Sequence, residues 1–142
     1  TINDSILQIL LFNNSIEADE DCLVHAYNGT GDDDPDLDTG ANKYSRSAGG
    51  AALGTLLLGN VNGSKTLDLG ATADGQIAGN ISSPAFYSLG VIPDIDWESV
   101  DGAPFQSIEN VGTDPATLTV DWTAGGGGGA THPGWYGRGS WW

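Results

Sequence analysis

The sequence predicts an all-β protein, an antiparallel sandwich or barrel of short strands with an N-terminal arm and a Gly- and aromatic-rich tail. Three observations lead there. Gly is the commonest residue at 22 of 142, and 15 of the 19 acids are Asp. Both are poor helix formers and good turn formers. Several segments alternate apolar and polar residues with the period of two that a half-buried strand requires. Prolines at 84, 93, 104 and 115 then divide the later chain at about ten-residue spacing, as expected of stacked short strands.

The first segment is ambiguous. Ser5 and Gln8 have capping-box spacing, and Ile2, Ile6 and Ile9 fall on one helical face. A strand fits as well, because the apolar residues also run together. Cys22 to Tyr27 interleaves Leu23, His25 and Tyr27 with Cys22, Val24 and Ala26, which suits a strand buried on both faces. An acidic loop, 29–40, follows, and Lys43 to Gly50 reads as a flexible lead-in to a core over 51–124. Residues 1–50 are thereby assigned to the arm and acidic loop.

Within that core, Thr55–Leu58 and Thr66–Leu69 flank Asn62-Gly63, the dipeptide best suited to a tight hairpin turn. Ile77, Gly79 and Ile81 share a face in strand spacing, as do Ile95 and Trp97. Thr117–Trp122 is the clearest strand, with Leu118, Val120 and Trp122 on one side. Six or seven strands are expected, with no room for a long helix.

Acids outnumber bases 19 to 4, for a net charge of −15. Nucleic acid is excluded as a partner, since phosphate contacts need Lys and Arg clusters. The charge also disfavours an anionic membrane surface, and the longest strongly apolar run, Ile9 to Phe12, is far too short for membrane insertion. Cys22 is the lone cysteine, so no internal disulfide framework exists and burial is expected. No nucleophile–base motif or phosphate loop appears, so the chain reads as a non-enzyme. His25 reads as a core or interface histidine rather than a catalyst.

Three groups of residues stand out. Asp32, Asp34, Asp36 and Asp38, together with Asp33, crowd one loop at alternating spacing that resembles oxygen-rich Ca²⁺ loops. The pattern departs from an EF-hand, with Thr39 in place of the turn glycine and Ser45 in place of the bidentate Glu. Asn13, Asn28, Asn62 and Asn80 each begin a glycosylation acceptor pattern, which fits an exported glycoprotein; Asn28 and Asn62 also precede glycine as turn residues do.

The tail, 125–142, opens with five glycines and holds Trp135, Tyr136, Trp141 and Trp142 in its last eight residues. Burying each such ring yields roughly 1.5–3 kcal/mol, so the four read as anchors docking on another subunit at the end of a side-chain-free tether. The combined expectation is a structural protein that self-assembles through its termini, with copies of itself or other structural subunits as partners. A virion component (capsid decoration or tail) and an extracellular filament subunit both fit. The alternative is a secreted calcium- or carbohydrate-binding β-sandwich module.

Overall fold

A computed structural model describes residues 1–11, 21–58, 62–80, 86–93 and 116–123. The readings on Asn13, on the Ile95/Trp97 strand, on Pro84, Pro104 and Pro115, and on the tail aromatics lie outside these residues. The described chain is mostly β. Its strands are β1 (Ile2–Leu11), β2 (Cys22–Ala26), β3 (Ala52–Leu56), β4 (Gly63–Asp68), β5 (Leu89–Pro93) and β6 (Thr117–Trp122). Two helices, α1 (Gly40–Ser47) and α2 (Gly70–Asn80), and two 3₁₀ turns, Tyr27–Gly29 and Pro35–Leu37, complete it.

The strands form two antiparallel three-stranded sheets, ordered β4-β1-β6 and β3-β2-β5. Each middle strand comes from the first fifty residues, so that segment runs through both sheets rather than hanging off them. β1 resolves as a strand because it has a partner on either side: Leu7 meets Leu67 of β4 and Leu118 of β6. The register slips between Ile2 and Asp4, as at a bulge. Ile2 therefore shares the buried side with Ser5, Leu7 and Ile9 despite the change from even to odd numbering.

One apolar core joins the sheets. Leu7 and Ile9 from one and Cys22, Val24 and Leu56 from the other belong to a single buried cluster with Leu58, Leu69 and Ala73. Gly54 lies where a Cβ would come within 3.0 Å of the Leu67 side chain, which brings β3 close to β4. β2 is buried on both faces, as its composition predicts, and Cys22 lies in the core.

Three expectations are corrected. Asn62-Gly63 does not close a hairpin: β3 and β4 belong to different sheets, and β4 pairs with β1 instead. The pairing of β4 with β1 runs over six residues, from Ile6 opposite Asp68 to Leu11 opposite Gly63. Ile77 and Gly79 lie in helix α2, not in a strand, and the buried pair is Ala73 and Ile77, four residues apart, packed on the β1 side. The supposed lead-in at Lys43–Gly50 is helical through Ser47, and Lys43 is buried.

Candidate functional site

The acidic loop is held by a clasp built from three elements. Tyr27 ends the run of β2 and is buried; its hydroxyl donates to Asp38 Oδ2 at 2.7 Å. Arg46, in the last turn of α1, places Nη1 2.8 Å from Asp33 Oδ2 and 3.4 Å from Asp38 Oδ2. Its charge also complements the helix C-terminus. Asn28 stands in the left-handed region at φ 51° and donates from Nδ2 to the same Asp33 oxygen. One guanidinium therefore gathers two carboxylates from a loop of like charges.

Burial, then the bond to the Asp38 carboxylate, pushes the Tyr27 phenol up to about 12. Two of the remaining carboxylates bond locally. Asp34 Oδ1 accepts from the Asp36 backbone N–H at 3.0 Å, capping the 3₁₀ turn, and Asp32 Oδ1 accepts from the Thr30 hydroxyl. Asp32, Asp34 and Asp36 are exposed. Among the described residues no group of three or more His, Cys, Asp or Glu is placed to hold a metal ion.

A second set of bonds ties the turn after β2 to α2. Gln76 Nε2 donates to the Gly29 carbonyl at 2.9 Å, and the Tyr87 hydroxyl donates to Gln76 Oε1 at 2.6 Å. Burial and the nearby Asp74 carboxylate raise the Tyr87 phenol as well. Gly31, at φ 75°, lies flat against that ring: a Cβ there would fall 2.3 Å from it. His25 is buried beside this region. Its Nδ1 lies 3.0 Å from the Gly50 carbonyl, which can only accept, so Nδ1 carries the proton. Nε2 is buried without a hydrogen-bond partner among the described residues.

Of the described glycosylation candidates, Asn28 is engaged with Asp33, and Asn80 Nδ2 points to the Thr30 carbonyl at 3.5 Å. Asn62 is exposed. Large apolar side chains also meet solvent: Leu37 is 84% exposed, Leu57 69% and Tyr44 65%. Leu37 and Tyr44 belong to the acidic loop and α1, so exposed apolar side chains lie within this charged segment. Sequence reasoning missed Tyr27, Arg46, Gln76 and Tyr87. Only Arg46 left a trace, as one of four bases lying close to an acid-rich loop.

No protein family, curated protein or solved structure matches the chain.

Proposed function

We propose that the chain is a non-enzymatic structural subunit of a repetitive, extracellular or virion assembly. Its two sheets act as a β-sandwich core, and its 125–142 tail docks on a neighbouring subunit through Trp135, Tyr136, Trp141 and Trp142. The observation that carries the reading is the tail's composition, five glycines at 125–129 leading to four aromatic rings in the last eight residues. Trp122 meets Ile2, and Thr123 N–H donates to the Thr1 carbonyl at 2.8 Å, so β6 pairs with β1 up to the residue before Ala124. Large rings at the end of a side-chain-free tether suit anchors on a neighbouring subunit.

Truncation after Ala124 is the direct test. The shortened chain is expected to keep its circular dichroism and melting temperature but to sediment as a monomer under conditions where the full chain assembles. Normal assembly of the truncated chain ends the docking proposal.

A further inference from the structure

We propose that Asn62 is a site of spontaneous deamidation, and that the acidic-loop clasp protects Asn28 from the same reaction. These are the chain's two Asn-Gly pairs, Asn28-Gly29 and Asn62-Gly63, and the fold treats them in opposite ways.

The reaction needs no enzyme. The backbone nitrogen of the following glycine attacks the asparagine Cγ, forming a C–N bond and a five-membered succinimide. The Cγ–Nδ2 bond breaks, and the departing nitrogen leaves as ammonia with the proton that the glycine amide gives up. Water then opens the ring at either carbonyl, giving Asp or iso-Asp. Glycine favours attack because no side chain shields its nitrogen. Two conditions remain: the side-chain amide must be free to rotate, and Cβ must swing toward the glycine nitrogen about the Cα–C bond.

Asn28 meets neither. Its Nδ2 donates to Asp33 Oδ2, and that oxygen is held in turn by Arg46 Nη1 at 2.8 Å. Its backbone sits at φ 51° and ψ 24°, which carries Cβ away from the Gly29 nitrogen. The Gly29 carbonyl is pinned by Gln76 at 2.9 Å, so the peptide beyond resists turning. Asn62 is placed otherwise. It is exposed, lies outside any helix or strand just before β4, and its amide has no hydrogen-bond partner among the described residues. The product adds a negative charge on the segment that leads from one sheet to the other. Iso-Asp further lengthens the backbone there by one carbon.

The experiment uses the full chain, made in a host that adds no N-glycans, held at mildly alkaline pH and followed by peptide mass spectrometry. In urea, both asparagines should gain the one-dalton increment at comparable rates. In the folded chain Asn62 should stay within a few-fold of its unfolded rate. Asn28 should slow by about tenfold or more, since a charge-assisted hydrogen bond must first open. Asp33→Ala should return Asn28 toward the unfolded rate, with Arg46→Ala as the second variant if the first does not fold. Protection of Asn62 as strong as that of Asn28 overturns the proposal. So does an Asn28 that stays slow in a folded clasp variant.

Discussion

The Tyr27 hydroxyl and the Asp38 carboxylate, 2.7 Å apart, fix the acidic loop to the end of the strand at the centre of one sheet. The phenol is buried, so the bond is sheltered from competing water. A hydrogen bond to a charged acceptor contributes about 1.5–3 kcal/mol, more than an exposed ion pair. Tyr27→Phe is therefore expected to cost on the order of 2 kcal/mol in urea unfolding. Asp38→Ala should cost at least as much, because it leaves a buried hydroxyl without its acceptor. A double variant whose loss equals the sum of the two singles would show that the pair is not coupled.

Alkaline stability follows from the same residue. The Tyr27 phenol rises from its ordinary 10.0 to about 12 in the fold, with burial as the larger cause. Between those values the folded state holds a proton that the unfolded chain has lost. The contribution is thus fully present below pH 10 and lost as pH rises through about 12. Tyr87 titrates in the same direction. Melting temperatures taken from neutral to strongly alkaline pH should fall more steeply for the native chain than for Tyr27→Phe. Parallel curves would place the alkaline transition elsewhere.

Glycines separate into two classes by the space around them. A Cβ at Gly90 would lie 2.5 Å from Ser47 Cα, a backbone atom that cannot swing aside. Gly90→Ala should destabilise by about 1–3 kcal/mol as an overpacked site. Gly75 and Gly79 sit in α2 with nothing within 4 Å of an added Cβ. Alanine at either should stabilise by roughly 0.5–1 kcal/mol, through helix propensity alone. Calorimetry on the three variants reads both signs.

Calcium at the acidic loop has a specific competitor. Asp33 and Asp38 share Arg46, so a Ca²⁺ ion drawing on those carboxylates must displace a guanidinium. On that proposal Arg46→Ala should take up Ca²⁺ more tightly than the native chain in calorimetric titration. No heat of binding in either protein removes calcium from the account.

The legible parts of the sequence were those where local pattern and burial agree. β2 and β6 follow directly from their runs: Val24 is buried from both sides, and Val120 and Trp122 pack with Ile2 and Ile77. α2 was hidden because three of its eleven residues are Gly70, Gly75 and Gly79. Its helix forms against propensity, because Ala73 and Ile77 bury on one side and the Asp68 carboxylate accepts the Gly70 N–H at 2.8 Å. The hairpin was misread for the opposite reason. Asn62-Gly63 is a strong signal for a turn but carries no information about which strand β4 joins. The loop's charge was plain, whereas its partners Tyr27 and Arg46 are set by how α1 and β2 come together, which spacing does not encode.

The central place of β1 has a consequence for biosynthesis. Ile2 finds Trp122 across 120 positions of chain, and Leu7 needs both Leu67 and Leu118. On a ribosome adding roughly 5–20 residues per second, β1 waits several seconds for its second neighbour. Through that interval a strand bearing Ile2, Leu7 and Ile9 lacks one edge of its ladder, while contacts of such long range close slowly. The nascent chain is then most open to misassociation, and slower growth or added chaperone should raise the soluble yield without altering the finished fold.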